Sequence, residues 1–191
     1  MADQTFPSTS KPRSNHWDRN VFLSFRGEDT RKNFTDHLHS ALVRAGIHTF
    51  RDDDELPRGE NISTELLNAI RGSRISIVVF SKGYASSKWC LDELAEILNC
   101  METRGYTLLP IFYHVNPSYI RKQTGTFAKA FAKHEKCIQV NMARVERVQR
   151  WRKALIEATD CADLDGIANG YESNFIDQII EEVLKQGTFG L

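Results

Sequence analysis

No stretch of this 191-residue chain approaches the roughly eighteen apolar residues a membrane-spanning helix needs. The nearest is the short run Ile75-Ser76-Ile77-Val78-Val79-Phe80. An excess of one charge is missing too. Twenty-five basic side chains face 25 acidic ones, so no overall field recruits nucleic acid or an anionic membrane, and only local patches remain open to either. Cysteine is scarce: Cys90, Cys100, Cys137 and Cys161 form no Cys-x-x-Cys pair, and three of them fall in apolar helical patterns. That excludes a secreted disulfide framework and fits reduced thiols in the cytoplasm, with the nucleus as a second compartment. Neither GxGxxG nor GxxxxGK[ST] occurs, which excludes a Rossmann dehydrogenase and a P-loop ATPase. The histidines lack metal-ligand spacing: His37 and His39 point to opposite helix faces and His134 with Cys137 is one isolated pair, so no structural metal is expected.

Residues 1–16 are polar, carry two prolines and several serines, and hold no apolar run that could serve as a signal peptide. They read as a disordered leader, residues 17–187 as one domain and 188–191 as a tail. At 41% hydrophobic and 26% charged the composition is that of an ordinary globular domain.

Strand and helix patterns alternate along it. Residues 20–25 read as a strand, and Asp29 or Thr30 can cap a helix over about 30–45 that carries Phe34, Leu38, Ala41, Leu42 and Ala45 and is closed by Gly46. Residues 47–50 predict a second strand, and a charged loop over 51–60 is broken by Pro57 and Gly59. Ile62, Leu66, Ala69 and Ile70 share one helical face, and 75–80 is a continuous apolar run suited to a central strand buried on both faces. Ser86 or Ser87 can cap a helix with Leu91, Leu94, Leu98 and Met101 inward. Residues 108–113 form the next strand, where Pro110 hints at an edge or a bulge. Helices around Phe127 and Phe131, around Val148 and Trp151, and from Phe175 to Leu184 follow, with a weak fifth strand at Ala162-Asp163-Leu164. The alternation predicts an α/β, flavodoxin-like parallel sheet with helices on both faces.

The most informative segment is Ser81-Lys82-Gly83-Tyr84-Ala85-Ser86-Ser87-Lys88-Trp89-Cys90-Leu91-Asp92-Glu93-Leu94. It puts Trp89 and Glu93 one helical turn apart, on the same side, where a buried strand gives way to a helix. Open α/β sheets bind ligands at that end of their strands. A flat ring can hold a base, and a carboxylate beside it can grip a ribose hydroxyl. The bland alternatives are a helix anchor for Trp89 and a solvated acid for Glu93. Asp92 and Glu96 are read as surface residues.

That segment, together with Asp18-Arg19-Asn20-Val21-Phe22-Leu23-Ser24-Phe25-Arg26-Gly27-Glu28-Asp29-Thr30-Arg31 and Leu109-Pro110-Ile111-Phe112-Tyr113-His114-Val115-Asn116-Pro117-Ser118, resembles a plant Toll/interleukin-receptor (TIR) domain over about residues 17–187. The resemblance implies a five-stranded parallel sheet of order 2-1-3-4-5. It also implies an assembly-dependent NAD nucleosidase of plant innate immunity, whose ADP-ribose-type products are sensed by lipase-like heterodimers. By motif position it makes Glu93 catalytic and Trp89 a nucleotide-stacking aromatic, with NAD as substrate and no cofactor. The rival readings are a non-catalytic TIR–TIR interaction module and an enzyme acting on nucleic acid to make cyclic nucleotides.

Phe25, Arg26, Gly27 and Arg31 follow the first strand and are candidates for the same pocket, with Gly27 admitting a phosphate and an arginine pairing with it. Equally, Gly27 merely turns the chain and Arg31 forms a salt bridge along its helix. The loop containing Asp52, Arg58 and Gly59 is the family's mobile loop, expected to gate the pocket or touch a neighbour. Self-association is expected at His37, beside which Asp36 replaces the serine of many relatives, and at Gly170 with Tyr171. Asp36 adds charge to a symmetric contact unless a basic residue answers it.

Overall fold

The computed structural model describes residues 19–52, 62–136, 141–162 and 171–187. Strands β1 (Arg19–Phe25), β2 (Thr49–Arg51), β3 (Ser73–Phe80) and β4 (Thr107–Phe112) pair in parallel in the order β2-β1-β3-β4. Parallel neighbours require helical crossovers. These are supplied by α1 (Gly27–Thr30), α2 (Phe34–Arg44), α3 (Thr64–Arg71) and α4 (Lys88–Arg104). The chain continues as α5 (Pro117–Arg121), α6 (Thr126–Lys136), α7 (Met142–Asp160) and α8 (Glu172–Gly187).

Period-two alternation along the strands splits the core into two layers. Val21, Leu23 and Phe25 of β1, with Ile75, Ile77 and Val79 of β3, pack against α2 and α8. Phe22, Val78 and Phe80 face the other way, toward α3, α4, α6 and α7. Ser24 shares that second face and is wholly buried. The parallel sheet and its helical layers are as expected from the alternation of patterns. Of the weak fifth strand, Ala162 is not in a strand, and Asp163 and Leu164 lie outside the described residues.

Two local expectations are corrected, and of the two alternatives for Pro110 one is kept. The helix expected over 30–45 is two: α1 is a single turn and α2 begins at Phe34, capped by Asn33, whose Oδ1 accepts from the Phe34 amide at 2.7 Å. Asp29 does not cap it, because it lies inside α1, where its carboxylate accepts from Ser81 and Gly83. Pro110 makes no bulge: the β3–β4 register runs unbroken from Ile75↔Thr107 to Phe80↔Phe112, and within the described sheet β4 is the edge that tolerates a missing N–H.

Asp92 and Glu96, expected at the surface, tie helices together. Asp92 Oδ1 accepts from Arg147 Nε at 3.0 Å and from Trp151 Nε1 at 2.9 Å, and its Oδ2 pairs with Arg147 Nη2, fastening α4 to α7. Glu96 accepts from Arg71 Nε at 2.7 Å, linking α4 to α3.

His134 is buried on α6, edge-on to Trp151, with Nε2 2.8 Å from the Ala85 carbonyl. Burial is the main cause that pushes its pKa below the ordinary 6.5 of a histidine, with help from Lys88 and Arg147 and against the pull of the Ala85 carbonyl and Glu135. A histidine held neutral in the fold gives stability that is complete above its unfolded value and lost as acid protonates the unfolded chain first. Stability should therefore fall as pH drops below 6.5. His134→Gln should flatten that slope in urea titrations at stepped pH, and an unchanged slope would assign it to other groups.

Candidate active site

Strand order reverses between β1 and β3: the chain leaves β1 toward β2 on one side, and the later strands extend on the other. Crossovers on opposite faces open a crevice at that point, beyond the carboxyl ends of the strands. A cavity of about 670 Å³ lies there, within the range of small-molecule sites. Phe25, Arg26, Gly27 and Arg31 line it from one wall, Asp52 from another, and Trp89 and Glu93 from a third. All the described pocket candidates are thus brought together. Arg58, Gly59 and Gly170 lie outside the described residues.

The third wall is the start of α4. A short 3-10 turn, Tyr84–Ser86, leads into it, and Ser87 caps it by accepting from the Cys90 amide at 3.3 Å. From there one turn carries Trp89, partly exposed, down to Glu93. Glu93 is only 5% exposed, which rules out the solvated acid. Its Oε2 accepts from Ser24 Oγ at 2.7 Å. Ser24 in turn sits 2.9 Å from the hydroxyl of Tyr84, which donates to the Cys90 carbonyl at 3.0 Å. Tyr84 is wholly buried, and desolvation pushes its phenol well above the ordinary value. Sequence reasoning passed over Ser24 and Tyr84. The available signal was a lone hydroxyl in the apolar strand Val21-Phe22-Leu23-Ser24-Phe25, on the face that meets α4.

The arginines are arranged differently from a bare anion site. Arg26 Nη1 pairs with Asp29 Oδ1 at 2.6 Å and its Nη2 with Glu28. Asp29 Oδ2 also accepts from Ser81 Oγ at 2.5 Å and from the Gly83 amide at 3.0 Å, so it locks the β3 exit to the β1 exit. A Cβ at Gly83 would lie 2.7 Å from that oxygen, and glycine is what permits the approach. Arg31 lays its guanidinium over the Phe25 ring, 5.2 Å from the centroid, and donates to the Asp52 carbonyl at 2.9 Å. It bridges two walls of the cavity. Gly27 leaves space for it, since a Cβ there would stand 2.8 Å from Arg31 Nη2.

On the far side of the sheet, Asp36 has its answering base. Arg51 Nη1 lies 2.8 Å from Asp36 Oδ1, and this hydrogen bond is the main cause holding the carboxyl below its usual range. His37 Nδ1 is 2.7 Å from Glu172 Oε1, joining α2 to α8, while its ring stays largely exposed. Tyr171, adjacent to Glu172, is 81% exposed. The two surfaces expected to self-associate thus meet at one hydrogen bond.

The family profile described as TIR domain matches residues 20–188. The chain is 50% identical, over 97% of its length, to the Disease resistance protein RPV1 of Vitis rotundifolia, and 45% identical over 91% to the TMV resistance protein N of Nicotiana glutinosa. It spans only 13% and 15% of those two proteins. Among solved structures it is similar to the TIR domains of the activated Roq1 resistosome, which directly recognizes the pathogen effector XopQ. Identity there is 49%, the TM-score is 0.75, and 86% of this chain and 99% of that one are covered. Among the described residues no helix is long and apolar enough to cross a membrane. With the sheet order, the crevice and the sequence in agreement over most of its length, the chain belongs to the TIR domain family and is a plant TIR domain.

Proposed function

We propose that this domain cleaves NAD between nicotinamide and ribose when several copies assemble, as a signalling step in plant innate immunity. One observation carries the proposal: a buried carboxylate, Glu93, opens into the switch-point cavity one turn below an indole. Breaking that bond develops positive charge on the ribose carbon, and a fixed carboxylate beside it lowers the barrier. Glu93 holds the ribose hydroxyls and faces that charge. Nicotinamide is already a good leaving group, so water or a ribose hydroxyl completes the reaction without an enzymic nucleophile.

Trp89 stacks on the ring system, and the dinucleotide phosphates lie toward Arg26 and Arg31. The Arg31 contact to the Asp52 carbonyl joins this pocket to the end of β2, and a neighbouring copy completes the site. His37, Asp36, Gly170 and Tyr171 form the contacts between copies, in keeping with the assembled state of the Roq1 TIR domains. Lipase-like heterodimers receive the products. The domain runs over 17–187, and it works in the cytoplasm or nucleus.

The test is to incubate concentrated or artificially clustered protein with NAD and to follow nicotinamide by chromatography. Release that depends on clustering is expected. A clustered protein that leaves NAD intact is instead a pure interaction module, and turnover of nucleic acid to cyclic nucleotides in the same vessel would favour the third reading. In this assay Trp89→Ala should raise KM about tenfold, because stacking on a base contributes about 1–3 kcal/mol, with kcat changed less. A KM left unchanged would return Trp89 to the role of helix anchor.

A further inference from the structure

We infer that Ser24, backed by Tyr84, is a positioning residue that fixes the carboxylate of Glu93 for the reaction. This rests on the reading of Glu93 given above. A carboxylate removed from water needs donors to hold its charge and its rotamer, since a buried acid otherwise takes up a proton or swings. Only one face of the Glu93 pocket is supplied by its own helix. Across it lies β1, and Ser24 is the β1 residue whose side chain points to the α4 layer at that level. Its hydroxyl reaches Oε2 at 2.7 Å, a short, charge-assisted bond.

A serine hydroxyl has a single proton and rotates freely, so something must set its direction. The Tyr84 hydroxyl, 2.9 Å away, does so. By sharing its one proton between Ser24 Oγ and the Cys90 carbonyl, it donates to the serine and leaves the serine proton to aim at the carboxylate. Both hydroxyls are wholly buried, so water does not compete for either bond. Tyr84 comes from the 3-10 turn and Ser24 from β1, so the relay also ties the direction of Glu93 to the junction between the sheet and α4. The pair touches no substrate and acts through Glu93.

Two measurements on the 191-residue chain test this. In the first, nicotinamide release by clustered Ser24→Ala should show kcat lowered about 10- to 100-fold, the size of a lost bond to a charged group, with KM nearly unchanged and Ser24→Thr restoring much of the rate. In the second, which needs no turnover, the carboxyl of ¹³C-labelled Glu93, assigned by its absence in Glu93→Gln, is titrated by NMR. Its midpoint should rise by about one unit in Ser24→Ala and by less in Tyr84→Phe. A midpoint unmoved in Ser24→Ala overturns the inference whatever the rate does. If the midpoint rises but clustered wild-type protein leaves NAD intact, the positioning contact stands and the proposed activity falls. If wild type turns over, Glu93→Gln does not and Ser24→Ala matches wild type, the activity stands and the positioning role falls.

Discussion

Glu93→Gln is expected to reduce nicotinamide release on the order of a thousandfold, the scale seen when one preorganised electrostatic group is removed from an active site. The amide keeps the size of the side chain and still accepts from Ser24, so the packing at the start of α4 survives. What it loses is the net negative charge that meets the developing ribose cation. Stability should shift by no more than about 1 kcal/mol, since the hydrogen bond is retained. Large loss of rate with a preserved unfolding midpoint is therefore the signature of a chemical role. A parallel fall in both would mark Glu93 as a buried structural acid whose replacement disturbs the sheet–helix junction.

Phe34→Ala should destabilise the domain by about 3–5 kcal/mol, the range for emptying an aromatic from a closed core. Phe34 is wholly buried at the first turn of α2, with ring centroids 4.8 Å from Tyr113 and 6.0 Å from Phe175. It is the joint between α2, the exit of β4 and α8. The loss is a large part of the 5–15 kcal/mol typical of a domain, and it should appear as a lower urea midpoint with unchanged m-value. Because the same layer carries the His37–Glu172 bond, faster amide exchange in α8 should accompany it. A cost below about 1 kcal/mol would mean that α8 is not docked through these rings.

What could be read in the sequence was what local periodicity encodes. The run over 75–80 became β3, the leucines of 91–98 became the inner face of α4, and Gly46 took its left-handed turn at φ +76°. Trp89 and Glu93 were legible as a pair because one helical turn alone places them together. Contacts set by tertiary structure were not. Ser24 meets Glu93 across 69 positions of chain, and the lone hydroxyl in an apolar strand marks the residue without naming its partner. Asp92 looked like a surface acid since its partners, Arg147 and Trp151, lie 55 and 59 residues away. The break between α1 and α2 was hidden for a related reason. Asp29 has the composition of a cap, but it lies inside α1 with its carboxylate held by Ser81 and Gly83, brought in by β3, and Asn33 starts α2 instead.

The functional surfaces divide in the same way. Arg51 neutralises Asp36 within the chain, so this face of α2 presents an ion pair rather than a bare charge. Arg31 is shared between the Phe25 ring and the Asp52 carbonyl, and so one side chain ties the pocket to the exit of β2.

The most direct measurement is a crystal structure of the assembled domain with carba-NAD, an analogue whose glycosidic bond does not break. The account predicts the ribose next to nicotinamide within hydrogen-bonding distance of Glu93, the indole of Trp89 against a ring of the ligand, and Ser24 still bonded to the carboxylate. A dinucleotide bound elsewhere, with the crevice between β1 and β3 empty, would contradict it.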